Sequence, residues 1–97
     1  MIEGDSRPRL APGVRLRRDR VRGGSMLLGP ERGIALDGTA DAILSLCSGE
    51  RDVGEITELL QRVYEAPRAA VERDVLAFLR ALEQRRFIVA DAPRRRA

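Results

Sequence analysis

The apolar residues of this chain change period once, and the change falls at Asp37-Gly38-Thr39. Ahead of it, Val14-Arg15-Leu16-Arg17 alternates apolar and charged side chains, the period of a half-buried strand. Ser25-Met26-Leu27-Leu28 and Ile34-Ala35-Leu36 are further short β-prone runs, set apart by Gly23-Gly24 and Gly29-Pro30. Three short strands in series with short links predict an antiparallel meander. Beyond Thr39 the repeat becomes helical. Ala40, Ile43, Leu44 and Cys47 fall at i, i+3, i+4 and i+7. Val53, Ile56, Leu60, Val63 and Tyr64 make a second stripe, and Val71, Val75, Phe78, Leu79 and Leu82 a third over residues 67–85.

The punctuation agrees with three helices. Asp37-Gly38-Thr39 supplies N-caps for the first, and Gly49 suits a left-handed C′ position after it. Asp52 and Glu55 have the spacing of a capping box, and Pro67 suits a first helical turn. Strands followed by helices predict an α+β fold: an N-terminal three-stranded antiparallel meander and then three helices. The short turn between the last two helices suits a winged-helix-like unit. Phe87-Ile88-Val89 reads as a terminal strand or a packed extension. One domain accounts for 97 residues. Residues 1–7 read as a flexible N-terminal tail, 8–90 as the folded unit and 91–97 as a basic C-terminal tail.

Composition removes several functions. The chain has no His and a single Cys, so it cannot build a His/Cys metal site, an iron–sulfur cluster or a Ser-His-Asp triad from its own residues. No catalytic, metal or cofactor residue is predicted. Cys47 sits on an apolar helix face with no His to act as its base, and reads as a small buried hydrophobe. Gly29-Pro30-Glu31 lacks the spacing of a phosphate loop and reads as a turn. No apolar run approaches the roughly 20 residues of a membrane span, and MIEGDSRPRL has no signal-like apolar region. With one Cys and no disulfide framework, the expected compartment is the cytoplasm.

All eighteen basic residues are Arg, for a net charge of +3. Their placement matters more than the sum. Residues 1–22 carry seven Arg against three acids and residues 84–97 five against one, whereas residues 23–83 carry six against eleven. A winged-helix nucleic-acid binder is the alternative function. It is disfavoured because Glu55, Glu58 and Glu65 on the second helix and Glu72, Asp74 and Glu83 on the third would oppose phosphates. Arg94-Arg95-Arg96 reads as a solvated tail.

The short third strand remains. As the last strand of a meander, Ile34-Ala35-Leu36 lies at an edge, with N–H and C=O groups unpaired unless something covers them. Phe87-Ile88-Val89 is one candidate cover; a partner peptide added as a strand is another. Strand exchange into a homodimer, with Gly23-Gly24 as hinge, is a third.

An ordered set of motifs bears on that choice. Pro12-Gly13-Val14-Arg15-Leu16-Arg17, Leu27-Leu28-Gly29-Pro30-Glu31-Arg32 and Leu36-Asp37-Gly38-Thr39-Ala40 are followed by Leu46-Cys47-Ser48-Gly49, Val53-Gly54-Glu55-Ile56 and Asp74-Val75 with Phe78, Leu79 and Leu82. Over residues 8–90 the sequence resembles the PqqD family of pyrroloquinoline quinone biosynthesis. Ser48 departs from the Asp expected before the glycine, and the Arg-rich tail falls outside the pattern. The resemblance implies a non-catalytic peptide chaperone, a recognition element for a ribosomally made precursor. It implies that the PqqA precursor adds as a strand beside the third helix and is presented to the radical SAM enzyme PqqE. Carried onto this chain, Gly33, Ile34, Ala35 and Leu36 offer the edge. Val75, Leu76, Phe78, Leu79 and Leu82 offer the apolar wall.

Overall fold

In the computed structural model, which describes residues 1–19, 21 and 23–93, backbone turns from sheet to helix where the sequence changes period. Strands β1 (Arg7–Leu10), β2 (Arg15–Arg18), β3 (Ser25–Leu28) and β4 (Gly33–Leu36) come first. Helices α1 (Gly38–Ser45), α2 (Val53–Val63) and α3 (Arg68–Gln84) follow, and β5 (Ile88–Asp91) closes the order. The expected meander is β2-β3-β4, antiparallel throughout. The class is α+β with three helices, as expected, but the described residues hold five strands rather than three.

The two extra strands pair with each other. β1 and β5 form a separate antiparallel ladder, with Arg7 opposite Asp91 and Leu10 opposite Ile88. Nothing local announces β1, because its partner lies some eighty residues away and Pro8 offers no N–H to a ladder. The Pro8 carbonyl instead accepts from Gly49 N–H at 3.0 Å, where Gly49 turns at φ +84°. Residues 46–49 leave α1 as a tight irregular turn, so Gly49 lies beyond the C′ position expected for it; the C-cap is Leu46.

Residues 1–7 are not a loose tail in this structure. Ile2 is fully buried, and Arg7 already belongs to β1. The intervening chain serves α2. The N–H groups of Val53 and Gly54 donate to the carbonyls of Ser6 and Gly4, each at 3.0 Å. Asp52 accepts from Glu55 N–H at 2.8 Å while the Glu55 side chain accepts from Asp52 N–H, completing the capping box. The free donors of the first turn of α2 are therefore shared out, Glu55 N–H to its own cap and those of Val53 and Gly54 to the N-terminal segment. Arg80 fastens the same segment to α3 by donating to the Ile2 carbonyl at 2.8 Å.

α3 ends without the glycine usually found there. Arg86 takes the left-handed C′ conformation at φ +63°. Its N–H donates to Glu83, and Phe87 N–H donates to Leu82, each at 3.0 Å. This is a Schellman ending, with buried Phe87 seated over Leu82. At the other end Pro67 occupies the N-cap of α3, one residue before the first-turn position expected for it. The core gathers Leu27 from the sheet, Ile43 and Leu44, Val53, Ile56 and Leu60, Val75, Leu79 and Leu82, with Phe87, Ile88 and Ile2 closing it. Arg94–Arg96 lie outside the described residues.

Candidate functional site

β4 is an edge strand among the described residues, bounded by β3 on one side only. β5 does not cover it, since β5 pairs with β1. Which groups face the open side follows from the hairpin. Gly29 N–H donates to the Arg32 carbonyl at 2.8 Å, so that pair is a hydrogen-bonded one. Antiparallel pairs alternate. Leu27 with Ile34 and Ser25 with Leu36 therefore exchange bonds across the ladder. Gly33 and Ala35 turn their N–H and C=O groups outward, giving four unpaired backbone groups.

Side chains alternate on the same strand. Ile34 and Leu36 are half-buried and pack against the core, while Gly33 and Ala35 are exposed on the opposite face. An added side chain at Gly33 would displace the free ends of two neighbouring side chains. A Cβ there would meet Leu28 Cδ2 at 2.9 Å and Met26 Cε at 3.4 Å, because those two side chains lean across the outer face of the sheet.

The third helix flanks this edge. At the Gly33 end the Arg32 guanidinium donates to the Arg85 carbonyl, and both guanidiniums lie over the Phe87 ring, 4.5 and 5.5 Å from its centroid. At the Leu36 end a cleft of about 230 Å³ opens between Thr39 and Ile43 of α1, Leu60 and Tyr64 from the end of α2, and Val71, Asp74 and Val75 of α3. The hairpin tip thus meets the C-terminal end of α3, and α1, which follows β4, faces the first half of α3 across the cleft. The α3 flank that lines this cleft carries Val71 and Asp74, and Phe78 continues it at spacings of three and four residues.

This geometry sorts the residues expected to form the wall. Val75, Leu79 and Leu82 are buried and hold the core, with Val75 alone showing an edge to the cleft. Phe78 is half-buried on the groove flank. Leu76 is two residues from Phe78, hence about 160° away around the helix. It lines an outer depression with Ala69, Glu72, Arg73, Ala77 and Arg80, on the side where Arg80 holds the N-terminal segment. Phe78 and Leu76 cannot line one groove. Val71, counted in the sequence as part of the core stripe, belongs to the groove. So do Arg32 and Arg85, which no periodicity marks because they follow from how the hairpin tip meets the end of α3.

The other edge of the sheet, β2, is a poorer acceptor. Arg15, Arg17 and Arg18 are all exposed on it, and charged side chains are a common protection of sheet edges. Cys47 is buried, its Sγ 3.3 Å from the Ile43 carbonyl, and burial pushes its thiol up to about 12. Such a thiol is held protonated and unreactive. Among the described residues no cluster of His, Cys, Asp or Glu could hold a metal ion, and no helix is long and apolar enough to cross a membrane.

The model of the family described as coenzyme PQQ synthesis protein D (PqqD) matches residues 24–88, which include the β3-β4 hairpin and all three helices. The chain belongs to the PqqD family. A relative in Rhizobium meliloti named PqqA binding protein is 40% identical over 91% of this chain and 90% of its own length. A bifunctional coenzyme PQQ synthesis protein C/D of Methylorubrum extorquens is 44% identical over 90% of this chain, which spans only 23% of that longer protein. Among solved structures, the PqqD part of Methylobacterium extorquens PqqCD superposes with a TM-score of 0.78 at 42% identity, covering 92% of this chain and 95% of that one. That protein is described as a functional, stand-alone recognition element for ribosomally synthesised, post-translationally modified peptides. TbiB1 in complex with the TbiA(beta) leader peptide superposes at 0.73 with 26% identity, covering 87% of this chain and 98% of that one. The names of the PqqA binding protein and of the stand-alone recognition element describe binding and recognition rather than catalysis.

Proposed function

We propose that this chain is a non-catalytic recognition element that binds the PqqA precursor peptide in pyrroloquinoline quinone biosynthesis. The observation that carries the reading is the open β4 edge, with Gly33 and Ala35 backbone groups outward beside the apolar flank of α3. The relatives named PqqA binding protein and the fold shared with a leader-peptide complex support it. The peptide adds to β4 as a further strand. It lies between Gly33–Leu36 and the Val71–Phe78 flank, with Val75, Leu79 and Leu82 as the rigid backing. The bound precursor is then presented to the radical SAM enzyme PqqE in the cytoplasm.

Energetics set the division of labour. The four outward groups allow about four hydrogen bonds, each netting roughly 0.5–1.5 kcal/mol. Micromolar affinity requires about 8 kcal/mol after the cost of ordering the peptide. Backbone pairing falls short alone, and burial of about 300 Å² of apolar surface at roughly 25 cal/mol per Å² adds about 7–8 kcal/mol. The ladder fixes register; Ile34, Leu36, Val71 and Phe78 supply most of the affinity.

An amide NMR titration with PqqA precursor peptide tests the reading. Shifts should concentrate at Gly33–Leu36 and along residues 71–78. A saturating titration that leaves these amides unmoved removes the proposal. Concentration-dependent shifts at the same amides without peptide would instead mark strand exchange between two copies.

A further inference from the structure

The proposed groove is electrically lopsided. At its Gly33 end stand Arg32 and Arg85, both exposed, and neither forms an ion pair with a carboxylate of the described residues. Toward its other end, in the cleft between α1 and α3, stands Asp74. The two guanidiniums are also held in place before any ligand arrives, stacked over a Phe87 ring that is itself 1% exposed. A cation fixed by stacking loses less freedom on pairing than a free surface Arg, and a guanidinium offers a carboxylate two parallel donors.

Register makes the position specific. Side chains of a strand alternate, so Arg32 shares the α3-facing side of β4 with Ile34 and Leu36. A strand laid along this edge places directly opposing side chains on that same face, two residues apart. We infer that Arg32 and Arg85 form a carboxylate clamp that selects a precursor strand bearing one Asp or Glu opposite Arg32. Apolar side chains stand two and four residues from it, against Ile34 and Leu36. The clamp sets the direction in which the strand lies, because the reverse placement brings the acid to Asp74 and leaves both guanidiniums facing apolar groups. This inference rests on the reading of β4 as the peptide acceptor.

The test is a double-mutant cycle between protein and peptide. Wild type, Arg32→Gln, Arg85→Gln, the double variant and an Arg17→Gln control from β2, the opposite edge of the sheet, are titrated with labelled PqqA precursor peptide by fluorescence anisotropy. Copies of the peptide with each Asp and Glu changed in turn to Asn or Gln are titrated alongside. Each groove variant should weaken binding about 3- to 10-fold, in the range of a well-formed, partly exposed charge pair, and the control should not. One acid-to-amide peptide should lose a similar factor against wild type and nothing further against the double variant. That acid should be separated by one residue from an apolar side chain, and raising the salt should weaken wild type more than the double variant. Full affinity in the double variant, or losses that simply multiply for every peptide acid, would overturn the clamp while leaving the edge intact. A wild-type protein that does not bind the peptide at all would remove the acceptor reading, and the clamp with it. Circular dichroism melts of each variant establish that the fold is unchanged.

Discussion

Proline placed at two neighbouring positions of β4 should have opposite consequences. Ala35 turns its N–H toward the open side, whereas Ile34 pairs with Leu27 across the ladder. In Ala35→Pro the strand loses an outward donor that nothing in the free protein uses. Ile34 before it is already extended, as a residue ahead of proline must be. The fold should therefore melt within about 4 °C of wild type, the shift expected for under 1 kcal/mol in a domain of this size. Peptide binding should suffer more. The added strand loses one hydrogen bond and is left with an unpaired carbonyl, together costing about 1–3 kcal/mol, or about 5- to 150-fold in Kd. Ile34→Pro removes an inward bond, strands the carbonyl of fully buried Leu27 and deletes a half-buried side chain. Its cost of about 2–4 kcal/mol should appear in the melt before any peptide is added. Melts by circular dichroism and peptide titrations by anisotropy on both variants decide the matter. Unchanged affinity in a folded Ala35→Pro protein, or equal destabilisation by the two prolines, would refute the assignment of the open edge.

Phe78→Ala should weaken peptide binding by about 1–3 kcal/mol in the same titration, whereas Leu76→Ala, on the far flank of α3, should leave Kd unchanged. Arg86→Gly should raise stability by about 1 kcal/mol in a urea melt, because glycine adopts the left-handed C′ conformation without the Cβ penalty that Arg86 carries at φ +63°. Cys47 should resist alkylation at pH 8 in the folded protein and react at once in denaturant. Its thiol is raised from about 9.0 to about 12, so the folded state holds the proton more tightly. Its stabilising contribution is full below pH 9 and is lost as pH climbs toward 12. Ile2→Ala should cost about 2–5 kcal/mol, a core-sized penalty from a residue one position from the chain start.

Local order made most of the fold legible. The three helices and the meander announce themselves because their hydrogen bonds close over a few residues and their apolar stripes have a fixed period. Asp52 and Glu55 stand three apart, and their capping box formed as that spacing predicts. Legibility failed where a partner was distant. Arg7–Leu10 is a strand only because Ile88–Asp91 comes back to it, and Ile2 is core only because α2 and α3 close over it. A stripe also does not say which of its members touches the core and which the neighbouring groove. Val75, Leu79, Phe78 and Leu76 all lie within five residues, yet they divide among core, groove and outer flank by their angle around α3. The Arg32–Arg85 pair carried no sequence signal, since it depends on where a hairpin tip lands.

The pairing of β1 with β5 has a practical corollary for how such a unit joins other polypeptides. With Arg7 opposite Asp91, the chain enters and leaves the domain through adjacent strands of a ladder that β4 does not belong to. A neighbouring domain can be attached after β5 without disturbing the edge offered to the peptide. The same fold can thus operate as a separate chain or as a segment of a longer protein, and its relatives include both arrangements.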